Sequence, residues 1–134
     1  MRIMLDSNIL ISIAIFNSNR LKELLVYICD KHTLVLSSSI LNELDEVVHK
    51  KFPDKIDSFK KFIHKLPYEF NYVPSSNLKN TKIQIRDLKD LPILVSAIVS
   101  DVDIFITGDK DFENVHINKP KIMSATEFLI RYKK

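Results

Sequence analysis

Glycine occurs once in this chain of 134 residues, at position 108. That scarcity excludes the glycine-rich loops that cradle nucleotide phosphates, since neither G-x-G-x-x-G nor G-x-x-x-x-G-K can be written. Cysteine also occurs once, at Cys29, so no internal disulfide can form, and the usage fits a reducing cytosol. Tryptophan is absent and aromatics are sparse. The four histidines, His32, His49, His64 and His116, form no H-x-x-x-H pair, which argues against zinc. No apolar run reaches the roughly 18 to 20 residues of a membrane span. Asp6 interrupts what would be the apolar part of a signal peptide, and no small-residue cleavage site follows.

What remains is an ordinary globular balance, 46% hydrophobic and 28% charged. The net charge of +3 permits a polyanionic partner without requiring one. Repeats, low-complexity tracts and linkers are missing, so residues 1–134 read as one domain.

Apolar runs alternate with helical periodicity along the chain. Short strands are expected at Arg2–Leu5, Thr33–Ser37, Phe70–Val73, Ile104–Thr107 and Lys121–Met123, with a brief extended piece around Ile83 and Ile85. Between them lie helices after Ser7 or Asn8, from about Arg20 to Asp30, after a Ser38 or Ser39 cap, and from Pro53 to Leu66. Leu91–Ser100 is apolar on nearly every side, which places it between other elements. Ser124-Ala125-Thr126-Glu127 is a capping box that opens a final helix. Strand–helix alternation of this kind predicts an α/β fold with a mostly parallel sheet and helices on both faces.

In such a sheet the strand C-termini share one edge, where loops build the site. Asp6 ends the first strand, and Gly108, Asp109 and Asp111 follow the strand at Ile104. Gly108 is expected to turn the backbone tightly enough to present Asp109. Asp90 and Glu43 stand near helix starts that can reach the same edge. Converging acids repel unless a cation lies between them, and magnesium or manganese suits an all-oxygen pocket. Each acid also has a plainer reading. Asp6 and Asp90 can be helix caps, Glu43 a solvated helix edge, Asp109 and Asp111 a turn, and Lys60, Lys61 and Lys65 a solvated face.

Several stretches together resemble the PIN-domain nucleases. They are Leu5-Asp6-Ser7-Asn8, Leu41-Asn42-Glu43-Leu44 after a serine-rich strand end, Asp90 seven residues before Ala97, and Thr107-Gly108-Asp109-Lys110-Asp111. The likeness is greatest to the toxins of type II toxin–antitoxin systems, and it runs from Met4 to about Phe128. It implies a three-layer α/β/α sandwich and an Mg²⁺- or Mn²⁺-dependent ribonuclease. By the resemblance, Asp6, Glu43, Asp90 and Asp109 form the acidic quartet, with Asp6, Asp90 and Asp109 as metal ligands. Asp111 is then an auxiliary acid, Asn8 and Thr107 are polar neighbours, and Asp87 competes with Asp90 for the third place. Because the acids repel RNA, Lys60, Lys61, Lys65, Lys89 and Lys110 are the candidates for its backbone. A toxin of this kind implies an antitoxin partner, a homodimer and a cytoplasmic location. The rival reading is a catalytically silent PIN fold that binds RNA or protein. A haloacid-dehalogenase-type phosphotransferase requires Asp-x-Asp after the first strand, and Asn8 stands where its second aspartate belongs.

Overall fold

The computed structural model describes residues 1–74, 91–112 and 115–133. The strands are β1 (Arg2–Leu5), β2 (Thr33–Ser37), β3 (Tyr68–Asn71), β4 (Ile104–Ile106) and β5 (Lys121–Met123). They form one sheet in the order β3-β2-β1-β4-β5, and every pairing is parallel. The helices are α1 (Ser7–Ala14), α2 (Asn19–Lys31), α3 (Ser38–Lys51), α4 (Ile56–Lys65), α5 (Leu91–Val99) and α6 (Ala125–Tyr132). They complete the three-layer α/β/α sandwich.

The central strands carry apolar side chains on both faces, as a doubly covered parallel sheet requires. Ile3, Met4 and Leu5 of β1, Leu34, Val35 and Leu36 of β2, and Ile104, Phe105 and Ile106 of β4 are all buried. Edge strand β3 is different: Glu69 and Phe70 are exposed, and an edge charge discourages pairing with a stray strand. Outside the sheet, Tyr27 of α2 packs edge-on against Phe128 of α6, and its hydroxyl donates to the Tyr132 carbonyl at 2.7 Å. That contact ties the two helices together.

Four boundaries differ from the sequence expectation, the first three for a hydrogen-bonding reason. The cap of α3 is Ser37, whose hydroxyl accepts from the Ile40 N–H at 3.2 Å, rather than Ser38 or Ser39. Ser38 instead accepts from the Val73 N–H at 2.9 Å. That bond diverts Val73 from the ladder, so β3 ends at Asn71 and starts two residues earlier than its apolar run suggests. The cap of α1 is Asp6, the plainer reading of that residue, rather than Ser7 or Asn8, because its carboxylate accepts from the Ser7 N–H. Pro53 opens a 3₁₀ turn, Pro53–Lys55, before α4 begins. The extended piece expected around Ile83 and Ile85 lies outside the described residues.

From β1 the chain winds to β2 and β3 on one side, then crosses to β4 and β5 on the other. The strand order therefore reverses between β1 and β4. The crevice at the carboxyl ends of those two strands is where open α/β sheets hold their ligands.

Candidate active site

Ladder register brings the first two acids together. Leu5 pairs with Ile106, so Asp6 and Thr107 are the next residues along neighbouring parallel strands. The Asp6 N–H donates to the Ile106 carbonyl at 3.0 Å and extends the ladder into the site. The β1–β2 offset, Ile3 with Leu34, places Ser37 on the other flank of Asp6.

The Asp6 carboxylate is buried, and each of its oxygens accepts a hydrogen bond. Its Oδ1 accepts from the Ser7 N–H at 2.8 Å, and its Oδ2 accepts from the Thr107 hydroxyl at 2.8 Å. Thr107 Oγ1 in turn accepts from the Asp109 N–H at 3.0 Å, and Asp109 Oδ1 accepts from the Asp111 N–H at 2.9 Å. One threonine hydroxyl thus links the Asp6 carboxylate to the Asp109 backbone. The 3₁₀ turn Lys110–Phe112 continues from there, and buried Phe112 anchors it edge-on against Phe105, with ring centroids 5.3 Å apart.

Glu43 enters from the second turn of α3 and is half-buried. The fully buried Ser7 hydroxyl lies 3.4 Å from Asp6 Oδ1 and is close enough to Glu43 to act on its carboxyl. Burial pushes the Asp6 carboxyl above its ordinary range despite the Thr107 and Ser7 hydrogen bonds, and the Asp109 charge adds to the rise. Burial likewise raises Glu43, with the Ser7 hydroxyl opposing and the charges of Asp6, Glu46 and Asp109 reinforcing it. Three carboxylates therefore act on one another at this edge. Each holds its neighbours' charge in an unfavourable, partly desolvated setting that a cation would relieve.

Among the described residues, no group of three or more His, Cys, Asp or Glu side chains forms a metal-holding cluster. The donors are nonetheless the right kind: hard carboxylate oxygens, coupled in charge. Magnesium commonly takes only one or two carboxylates and keeps waters for the rest of its octahedron. The residues fit such an ion.

Asp90, with its rival Asp87, and Lys89 lie outside the described residues. Two residues that follow Asp90, Pro92 and Ile93, line a cleft together with Glu43, Asn42, Lys50 and Lys51. The position of α5 is set by a buried bond from the Ser37 hydroxyl to Ser96 Oγ, 2.8 Å long. Asn8 is exposed and lines a second cleft with Gly108 and Asp109. Lys110 is exposed immediately after Asp109.

Lys60, Lys61 and Lys65 are exposed on α4. That helix links the end of α3 to the start of β3, at the sheet edge opposite the carboxylates. Lys60 borders a mainly apolar cavity with Leu44, Phe59 and Ile63. Ser7, Arg20, Lys50 and Lys51 border the acids or their clefts, and sequence reasoning passed over all of them. The only available signal was for Ser7: a polar residue directly after the strand-ending acid, at a helix position that turns inward.

Gly108 corrects one expectation. No glycine has a positive φ, and a Cβ built at Gly108 meets nothing within 4 Å. The turn does not need glycine's conformational freedom. The missing side chain leaves open space beside Asp109.

A family model described as PIN domain matches residues 2–111. No curated protein matches the chain. Among solved structures, a crystal structure of VapBC2 from Rickettsia felis bound to a DNA fragment from their promoter is similar. It has a TM-score of 0.69 and 20% identity, and the match covers 92% of this chain and 98% of that one. At that identity the likeness speaks for the fold.

Proposed function

The chain belongs to the PIN domain family, and from that premise we propose that it is an Mg²⁺- or Mn²⁺-dependent endoribonuclease, the toxin of a toxin–antitoxin pair. The observation that carries this reading is the Asp6–Thr107–Asp109 chain of hydrogen bonds at the strand-order reversal, with Glu43 facing it through Ser7. A VapBC2 complex shares the fold, which supports an antitoxin partner. A homodimer and a cytoplasmic location follow from the same toxin reading.

Asp6 and Asp109 would hold the ion, and Asp90, outside the described residues, would be the third ligand. A divalent cation bound there supplies Lewis acidity to a phosphate oxygen and lowers the pKa of a coordinated water. Thr107 links the Asp6 carboxylate to the Asp109 backbone by bonding to both. Ser7 orients Asp6 through its N–H, and its hydroxyl lies between Asp6 and Glu43 and favours the ionised form of both. Glu43, whose carboxyl is held above its ordinary range, is suited to accept the proton of an attacking water at Oε. Burial of Asp6 beneath the strand ends keeps bulk water from screening these charges.

Incubation of the full chain with single-stranded RNA and Mn²⁺ is the direct test. Cleavage that is lost in Asp6→Asn and absent without a divalent ion is the expected result. Cleavage persisting unchanged in Asp6→Asn would overturn the assignment. The silent binding module is the rival outcome, recognised by RNA or protein binding with no Mn²⁺ uptake in titration calorimetry.

A further inference from the structure

The cleft beside Asp109 runs away from the carboxylates between α1, the start of α2 and the first turn of α6. Asn8, Ser12, Arg20, Gly108, Asp109 and Ser124 line it. Among its described lining residues Arg20 is the one cation and Asp109 the one anion. A polyanion cannot approach a group of carboxylates without a compensating positive charge. Arg20 supplies one in the cleft that opens directly onto them.

The guanidinium is also held in place. Arg20 Nη2 donates to Thr126 Oγ1 on α6, more than a hundred positions away in the chain. Of five N–H donors this uses one, so the planar fork stays free to meet phosphate oxygens in a fixed orientation. Gly108 lines the same cleft as Arg20 and Asp109. Its backbone has no left-handed φ, and a side chain there would project into open space. The glycine therefore serves clearance rather than backbone shape, and clearance matters where another chain must pass close.

We propose that this cleft binds the phosphodiester backbone of the RNA strand flanking the scissile bond, with Arg20 on a phosphate and Gly108 keeping the path to Asp109 open. The proposal rests on the ribonuclease reading above. It adds that the strand leaves the acids toward α2 and α6 rather than toward the lysines of α4. Contacts of this kind position the strand and carry no sequence information, so Arg20 acts alike on every RNA.

The experiment measures anisotropy of a labelled single-stranded RNA of mixed sequence over a salt series. The full chain carries Asp6→Asn so that the strand stays intact. Adding Arg20→Gln is expected to weaken binding by about tenfold and to lower the slope of log K against log salt by about 0.7, the loss of one single-strand phosphate contact. Arg20→Lys recovers the slope. Thr126→Val removes the tether but keeps the charge, so it leaves the slope in place and separates folding from phosphate binding. Gly108→Val is expected to weaken binding severalfold at an unchanged melting temperature. If the parent binds RNA while Arg20→Gln keeps affinity and slope, or Gly108→Val keeps affinity, the cleft is not the path. If the Asp6→Asn parent does not bind RNA and the unsubstituted chain does not cut it with Mn²⁺, the ribonuclease reading itself falls and this proposal falls with it.

Discussion

The Thr107 hydroxyl donates to Asp6 Oδ2 at 2.8 Å across 101 positions of sequence, and Thr107 Oγ1 accepts from the Asp109 N–H at 3.0 Å. The bond follows from ladder register, because Leu5 opposite Ile106 leaves Asp6 and Thr107 side by side where both strands end. Its consequence is that the Asp6 carboxylate is tied through a neutral group to the backbone that carries Asp109.

Thr107→Val therefore tests the bridge. It leaves Asp6 Oδ2 and the Asp109 N–H without that partner in a buried place, at nearly constant volume. Orienting groups of this kind typically change metal affinity or activity by about 10- to 100-fold, and that range is expected for Mn²⁺ binding by calorimetry and for cleavage. Thr107→Ser should restore most of both. Unchanged affinity in Thr107→Val would remove the hydroxyl from the site.

Asp6→Asn separates function from stability. The amide oxygen can still accept from the Ser7 N–H, so the cap on α1 is kept. The buried charge opposed by Asp109 is gone. Cleavage is expected to vanish, while the melting temperature without divalent ions holds or rises. A marked fall in melting temperature would make Asp6 primarily a structural cap.

The pH dependence of stability has a definite sign. Asp6 and Glu43 titrate above their ordinary values of 3.8 and 4.5 in the folded chain. Between those values and the raised ones, the folded state holds more protons than the unfolded state. Stability from these two groups then falls as pH rises through that window, and the full penalty stands at neutral pH. Asp103 runs the other way: the Arg2 N–H holds its carboxyl below the ordinary range, so its contribution is lost as pH falls. Melting curves of the parent and of Asp6→Asn/Glu43→Gln isolate the first effect. The parent's deficit relative to the double variant should grow from acid to neutral pH, and the melting-temperature gain on adding Mn²⁺ should grow with it. A deficit independent of pH would refute the coupling.

Ser7 and Asn8 make a paired comparison. Ser7 is fully buried, bonds Asp6 and opposes the rise of the Glu43 carboxyl, whereas Asn8 is exposed. Ser7→Ala is expected to lower cleavage by about tenfold or more, on the scale of other orienting groups. Asn8→Ala should leave Mn²⁺ affinity nearly unchanged, and equal effects would show that the Ser7 hydroxyl does not organise the acids.

Phe112 links core to site. Its ring is 2% exposed and rests on Phe105 immediately after the turn that carries Asp109 and Asp111. Phe112→Ala should cost about 3–5 kcal/mol in denaturant unfolding. Phe112→Leu should cost less, and it should lower cleavage more than a remote core change of equal stability cost.

Much of the fold could be read along the chain. Buried parallel strands appear as unbroken apolar runs, which is why β1, β2 and β4 were plain in Ile3–Leu5, Leu34–Leu36 and Ile104–Ile106. Ser124 and Glu127 announced α6 by spacing alone, and the Glu127 N–H does bond the Ser124 hydroxyl at 3.1 Å. Those signals are local: each depends on residues within one or two turns of one another. The exact caps were less legible, because whether Ser37 or Ser38 caps α3 depends on where β2 stops pairing and on Val73, far along the chain.

By itself, then, the sequence determined the α/β alternation and the residue types able to meet at one sheet edge, because hydrophobic period and capping chemistry are short-range. Tertiary structure decided which of those residues touch. Register set Thr107 against Asp6, α3 brought Glu43 within reach of Ser7, and α6 tethered Arg20 beside Gly108. It also reversed the role of the lone glycine, from turn-maker to open space. The physical reason is distance in sequence: these contacts exist only after strands pair and helices dock, and no periodicity or spacing encodes them.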